Sequence, residues 1–161
     1  MSDPFEDLYR LSRLGEFDAA LAKLLDESRH RLVPPFDEDP NHGWYVAGDF
    51  YYRKGDFEAA ARAFDKSIAD RPDDHQALIA LANCYFELGM PILSEKYLRV
   101  AKRYSDDARV IYNLGCALFD QGKYDEAIEI YKEIASESGE IFDFAQKNMR
   151  TAEAKMVNED N

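Results

Sequence analysis

Residues 113–131 of the chain, NLGCALFDQGKYDEAIEIY, have a close counterpart in residues 46–64, VAGDFYYRKGDFEAAARAF. Aligned, the two stretches share a glycine, a second glycine seven positions later, and then an alanine and an aromatic residue. A looser copy surrounds Gly89, so the second glycines, Gly55, Gly89 and Gly122, lie 34 and 33 residues apart. A period of this length predicts stacked helical hairpins, and therefore an all-α fold that presents a binding surface.

The composition is typical of a folded, acidic protein. The chain has 161 residues, of which 46% are hydrophobic, and its 32 acidic and 20 basic side chains give a net charge of -12. This charge repels phosphates and anionic lipids, so neither nucleic acid nor a membrane is an expected partner. No signal-peptide pattern is visible, and Cys84 and Cys116 fall in helices that we expect to be packed. Buried free thiols fit a reducing compartment, which predicts a cytoplasmic protein.

We expect a single domain over residues 1–157. The sequence around Gly15 repeats that around Gly55, which indicates a degenerate first hairpin, and a proline-rich stretch then interrupts the period. A last amphipathic segment has the apolar face that a terminal capping helix needs. The expected segments are a degenerate hairpin (1–30), an inserted loop (31–40), three repeat units (41–74, 75–107 and 108–137), a capping helix (140–157) and a tail (158–161).

Small residues recur where the two helices of each hairpin are expected to approach. They are Gly48, Ala82 and Gly115 on the first helices, and Ala60, Ser94 and Ala127 on the second helices. Large residues beside them, such as Phe64 and Tyr131, would fill the space that these small residues leave. A bulky residue at Gly115 is therefore expected to overpack the junction, at a cost of about 1–3 kcal/mol.

These residues resemble the tetratricopeptide repeat (TPR) family. Residues 41–72 match its phrase through Trp44, Gly48, Tyr51, Ala60, Phe64 and Pro72, and residues 108–135 match it through Leu114, Gly115, Gly122, Tyr124, Ala127 and Tyr131. The middle unit matches more loosely, and the first hairpin matches only in its second helix. The resemblance implies a right-handed superhelix of TPR hairpins that ends in a C-terminal capping helix.

In TPR arrays the first helix of each hairpin lines a concave groove, so the resemblance also implies candidate site residues. The exposed positions of those helices are Tyr9, Tyr45, Asp49, Tyr52, Ile79, Asn83, Phe86, Arg109, Tyr112, Asn113, Cys116 and Phe119. Aromatic rings with interspersed amides suit an extended peptide, since rings supply apolar area and amides bond its backbone. The alternative for any one ring is that it packs on a neighbouring hairpin or on the terminal helix.

The expected function is protein binding, as an adaptor, scaffold or chaperone whose partner is a peptide segment with apolar and basic residues. Some family members clamp the C-terminal carboxylate of heat-shock chaperones with basic residues and asparagines. Here the matching positions hold Tyr45, Asp49, Ala80, Arg109 and Asn113, which does not favour such a ligand because Asp49 would repel it. A likeness to type III secretion translocator chaperones remains an alternative on size and acidity. A structural protein that self-associates through its convex face or first hairpin, giving a homodimer, is the other alternative.

We expect no catalysis, no cofactor and no metal. The three histidines are scattered, and none has zinc-ligand spacing with the two cysteines. Asp37, Asp39 and Asn41 begin like a calcium loop, but the required glycine and glutamate positions hold His42 and Gly48. Phosphate-binding glycine loops and the Gly-x-Ser-x-Gly elbow are missing from the sequence.

Overall fold

The computed structural model describes residues 3–159, and within them every regular element is helical. The described residues form two compact units that divide at Cys84 and Tyr85. The prediction of an all-α fold is confirmed for this part of the chain. The α-helices, in chain order, are α1 (Glu6–Arg13), α2 (Phe17–Leu24), α3 (Pro40–Arg53), α4 (Phe57–Asp70), α5 (His75–Glu87), α6 (Pro91–Lys102), α7 (Ala108–Asp120), α8 (Tyr124–Tyr131) and α9 (Glu140–Glu159).

The first unit contains α1 to α4 and most of α5. Its core is a cluster of buried leucines, alanines and aromatic residues that includes Leu8, Leu21, Leu24 and Phe50. Between α2 and α3 the chain makes an isolated antiparallel bridge, Leu25 to Leu32, and one turn of 3₁₀ helix, Phe36–Glu38.

The helix α3 begins inside the segment that the sequence assigned to a loop. Pro40 is its first residue, and the Asp39 side chain accepts a hydrogen bond from the His42 backbone N–H at 3.1 Å. Proline has no N–H to lose and its φ angle suits a first turn, so it starts this helix where it would break a helix interior.

The second unit contains the end of α5 and helices α6 to α9. Leu98, Leu114, Leu118 and Tyr131 are its largest fully buried side chains. Helix α9 covers the last hairpin with Ala145 and Ala152, which are both fully buried. It runs two residues beyond the predicted end at 157, and residues 160 and 161 of the predicted tail lie outside the described residues.

Glycines decide how closely the two helices of a hairpin approach. A Cβ atom at Gly48 would lie 2.6 Å from Cε1 of Phe64, and one at Gly115 would lie 2.7 Å from Cδ1 of Tyr131. No side chain fits at such distances unless the ring moves. Each large ring therefore occupies the space that the glycine of the same hairpin leaves free.

Candidate functional site

Two of the candidate rings in the first unit are held by rings on the second helix of the same hairpin. The Tyr45 ring meets the Phe64 ring edge-on, with centroids 5.5 Å apart, and the Tyr52 ring meets Phe57 edge-on at 5.2 Å. Both tyrosines are half-buried. Edge-to-face contacts of this kind favour one ring orientation, so they hold the Tyr45 and Tyr52 rings in place.

Two further candidates of the first unit, Tyr9 and Asp49, lie on α1 and α3. The Tyr9 hydroxyl is 3.0 Å from Nε2 of His42, and burial raises the pKa of Tyr9, with the charges of Asp3 and Asp49 adding to the shift. Burial also raises the pKa of Asp49, whereas its ion pair with Arg53, at 3.6 Å, lowers it. Tyr9 thus contributes a hydroxyl group to the candidate site, and Asp49 contributes a carboxyl group.

Ile79 does not belong to an exposed face. Only 7% of it is accessible, and it follows Ala77 and Leu78, which are also buried. Three consecutive buried residues cannot all lie on one side of a helix, so α5 packs on more than one side. Ile79 is therefore not at an exposed position of α5, as the sequence had led us to expect, whereas Asn83, one turn later, is half-buried.

In the second unit, Tyr112 and Cys116 meet the terminal helix. The amide Nδ2 of Asn148 donates to the Tyr112 hydroxyl at 3.3 Å and to the Tyr131 hydroxyl at 3.2 Å, and it lies 3.7 Å from the Cys116 sulfur. The Tyr131 hydroxyl donates to that sulfur at 3.3 Å. Tyr112 and Cys116 thus pack against α9, which is the alternative that the sequence left open for the candidate rings.

Burial decides the acid–base behaviour of this polar cluster, in which Tyr131 is fully buried and the other three residues are half-buried. Burial raises the pKa of the Tyr112 and Tyr131 hydroxyls and of the Cys116 thiol. All three groups therefore remain protonated near neutral pH. Asn148 is not among the residues predicted from the sequence, where its signal is an amide within one turn of the apolar residues Ala145 and Ala152.

One aromatic position recurs at the end of the first helix of each repeat unit, as Tyr52, Phe86 and Phe119. Phe119 meets Tyr124 edge-on at 5.2 Å, as Tyr52 meets Phe57. In the middle unit the corresponding position of the second helix is Pro91, and the Phe86 ring contacts no other ring among the described residues. Phe86 is 42% exposed, which makes it the most accessible aromatic candidate of the site.

The other candidates of the second unit are polar. The Arg109 guanidinium is exposed and is held by the Asp107 carboxylate, with Nε 3.0 Å from Oδ2. Asn113 is half-buried. Glu87 and Asp120 lie in the last turns of the first helices, and burial raises the pKa of Asp120.

Groups of histidine, cysteine and acidic side chains that would hold a metal ion do not occur within residues 3–159. In the same part of the chain, every helix is too short or too polar to cross a membrane.

Comparison with known proteins agrees with this architecture. Residues 53–134 match the model of the family described as anaphase-promoting complex, cyclosome, subunit 3, which is more than half of the chain. Protein FlbA of Caulobacter vibrioides is 31% identical over 99 residues, which are 60% of this chain and 16% of FlbA. The chain therefore corresponds to a small part of that relative.

Solved structures share the fold. YrrB, described as a TPR protein with an unusual peptide-binding site, superimposes with a TM-score of 0.75 over 94% of this chain and 75% of its own, at 23% identity. The first TPR of Spaghetti (RPAP3), solved with the HSP90 peptide SRMEEVD, has a TM-score of 0.67 over 73% of this chain and 96% of its own, at 18% identity. At these identities the likeness shows a TPR fold, which confirms the fold predicted from the repeats.

Proposed function

Because the chain belongs to the TPR-type family of anaphase-promoting complex, cyclosome, subunit 3, we propose that it is a non-catalytic protein-interaction module. Its ligand is a peptide segment of a partner protein, bound by the exposed positions of the first helices of the hairpins. Cys84 and Cys116 are not joined in a disulfide bond, which supports a reducing, cytoplasmic location.

The exposed Phe86 ring is the observation that carries this proposal. Its equivalents Tyr52 and Phe119 are each covered on one side by a ring of the second helix, whereas Pro91 leaves Phe86 uncovered. An exposed aromatic ring loses its contact with water when a ligand covers it, and such rings are frequent anchors in binding sites. Phe86 is therefore the apolar anchor of the proposed site.

The acidic side chains on the first helices favour a partner with basic residues. Asp49, Glu87 and Asp120 lie on the first helices, and the whole chain has a net charge of -12. A cationic segment is attracted by this field, whereas the terminal carboxylate of a chaperone tail meets Asp49 and is repelled. The preferred ligand thus combines an apolar side chain with lysine or arginine.

Recognition is partly preorganised, since ring contacts within the α3–α4 and α7–α8 hairpins hold Tyr45, Tyr52 and Phe119 before a ligand arrives. A rigid site loses less conformational entropy on binding than a mobile one.

The test compares Phe86→Ala with Ile92→Ala after peptide ligands have been selected from a displayed random library. Ile92, on α6, is 70% exposed and therefore serves as a matched loss of exposed apolar surface. The selected peptides should be enriched in apolar and basic residues. Titration calorimetry should then show that Phe86→Ala lowers their affinity about tenfold, whereas Ile92→Ala does not.

Equal affinity of the wild-type protein and Phe86→Ala for all selected peptides would contradict the proposed site. Selection of acidic peptides that Phe86→Ala binds normally would contradict it as well. Helicity measured by circular dichroism shows whether both variants are folded.

A further inference from the structure

The first unit contains a cavity that none of the candidate site residues lines, and we define it as the basic pocket. It is a cavity of about 260 Å³ between the loop after α2 and helices α3 and α4. Its aromatic wall consists of Trp44 and Tyr51, and the side chains that bring positive charge to it are Arg29, Arg62 and Lys66, with His30 beside them.

Lys66 connects the two walls of the basic pocket. Its Nζ lies 3.8 Å from the centroid of the Trp44 ring and donates a hydrogen bond to the His30 carbonyl at 2.9 Å. Burial lowers the pKa of Lys66, and Arg62 adds to this effect while Asp26 opposes it. The ammonium group is thus partly deprived of water, and an anion at this place would replace that lost solvation.

The loop that carries Arg29 and His30 is ordered by Asp26. One carboxylate oxygen of Asp26 accepts the backbone N–H groups of His30, at 2.9 Å, and of Arg31, at 3.1 Å. Hydrogen bonds from Ser28, then from the Arg31 backbone, lower the pKa of Asp26 to about 2. Arg29 itself has a φ of 60°, in the left-handed region that side chains other than glycine rarely adopt.

No acidic side chain lines the basic pocket, although the chain carries 32 acidic and 20 basic residues. Within residues 3–159, Arg29, Arg62 and Lys66 make no ion pair, whereas Arg31 is paired with Asp26 at 3.4 Å. Three basic groups thus converge with no carboxylate at ion-pair distance within residues 3–159, although Asp26 acts on Lys66 and Asp18 on Arg29 at longer range. Such an arrangement favours a negatively charged ligand from outside the chain.

We propose that the basic pocket binds an acidic side chain, together with its apolar neighbourhood, from a peptide segment of a partner protein. The cavity is smaller than the roughly 300–1,000 Å³ of sites for drug-sized ligands, which suits a single side chain. Trp44 and Tyr51 offer apolar surface to methylene groups or a ring, which a free inorganic anion would leave unused. This site shares no residue with the candidate site on the first helices, whose carboxylates select the opposite charge.

Tryptophan fluorescence reports directly on this site, because Trp44 is the only tryptophan of the chain. The probe is the blocked peptide acetyl-Glu-Glu-Phe-Glu-Glu-amide, and its control is acetyl-Gln-Gln-Phe-Gln-Gln-amide. The titration is made in about 0.15 M salt, where a Debye length of about 8 Å screens the net negative charge of the protein. We expect a saturable change for the acidic peptide and none for the amide peptide.

Two variants with the same loss of charge then separate the pocket from general electrostatics. Arg62→Gln removes a group without an ion pair, so it spares the contacts of Lys66, and it should weaken binding of the acidic peptide about tenfold. Arg103→Gln removes an exposed cation of the second unit, outside the pocket, and should leave binding unchanged. Circular dichroism verifies that both variants are folded.

Three outcomes would overturn the proposal. The first is no saturable change in fluorescence with the acidic peptide. The second is an equal loss in both variants, which would indicate non-specific attraction. The third is binding of inorganic phosphate as tight as that of the acidic peptide, which would make the ligand a free anion. None of these results affects the selection of basic peptides at Phe86, so the two sites succeed or fail separately.

Discussion

At Gly115, helices α7 and α8 approach so closely that a methyl group would overlap the Tyr131 ring. That ring is fully buried, and its hydroxyl is held by Asn148 and Cys116. It therefore has no free space into which it can move. The same relation holds between Gly48 and Phe64, although Phe64 has no hydroxyl to restrain it.

We expect Gly115→Ala to lower the free energy of unfolding by about 1–3 kcal/mol. Alanine favours a helix over glycine by about 1 kcal/mol, so overlap with the Tyr131 ring must exceed this gain. Urea denaturation followed by circular dichroism measures the change. Gly48→Ala should also be destabilising, and Glu153→Ala, an exposed change on α9, should be nearly neutral. A Gly115→Ala protein as stable as the wild type would show that the ring can yield.

The sequence predicted these junctions because each glycine and its ring lie in one repeat, sixteen residues apart. It predicted the exposure of the candidate site residues less well. The repeat spacing of 34 residues gives Ile79 the same position as Tyr45. In the structure, however, Ile79 is buried, whereas Tyr45 is half-buried. Spacing indicates the side of a helix on which a residue lies, and it does not indicate what covers that side.

At the scale of elements, Glu95 connects α6 with the hairpin that follows. Its carboxylate accepts hydrogen bonds from Gln121 at 2.7 Å, Arg99 at 2.7 Å and Lys123 at 3.0 Å. Burial disfavours the charged form of Glu95, but these three donors outweigh it and lower its pKa to about 2. Only 12% of the Glu95 side chain is exposed, so water screens this network weakly.

Glu95→Gln should therefore destabilise the protein in a pH-dependent way. A carboxyl whose pKa is lower in the folded state stabilises that state above its unfolded pKa, near 4.5, and this contribution disappears as the pH falls towards 2. We expect a loss of about 1–2 kcal/mol at pH 7, since the donors are partly solvated. The difference from the wild type should shrink between pH 4.5 and 2. Denaturation at several pH values measures it.

The control for that experiment is Glu153→Gln, which removes an exposed carboxylate from α9. It should change stability little at any pH. A Glu95→Gln effect of constant size from pH 7 to pH 2 would mean that the lost contacts, and not the charge, stabilise α6 against α7.

Some helix boundaries depend on short signals in the sequence, whereas contacts between distant helices do not. Asp39 and Pro40 form a start signal within two residues, yet the neighbouring Pro34 and Pro35 favoured a loop over the whole segment. The environment of Tyr112 was harder to predict from the sequence, because its partner Asn148 lies 36 residues further along the chain. Contacts over such a distance depend on how α9 packs, and the repeat period contains no information about that helix.

For the whole molecule, the net charge of -12 is the dominant electrostatic feature. Ion pairs such as Lys102–Glu133, at 2.7 Å, offset it locally. The excess carboxylates still repel one another in the compact state, and this repulsion favours unfolding.

We expect the melting temperature at pH 7 to rise when sodium chloride is increased from about 0.01 M to about 0.15 M. Over this interval the Debye length falls from about 30 Å to about 8 Å, so repulsion between distant carboxylates is screened more than close ion pairs are. The same series near the isoelectric point, about 4.6, is the control and should show little dependence on salt. A melting temperature that falls with salt at pH 7 would indicate that ion pairs outweigh the repulsion.

The surroundings of the two native cysteines make the chain a convenient host for spectroscopic labels. Cys84 is fully buried, and the thiol of Cys116 is held by Tyr131 and Asn148 with a raised pKa. A maleimide is attacked by the thiolate form of cysteine, so both native thiols react slowly at neutral pH, Cys84 because it is buried and Cys116 because its pKa is raised. A single cysteine introduced at exposed Arg103 therefore takes up a fluorophore or spin label selectively, and both native cysteines can be retained.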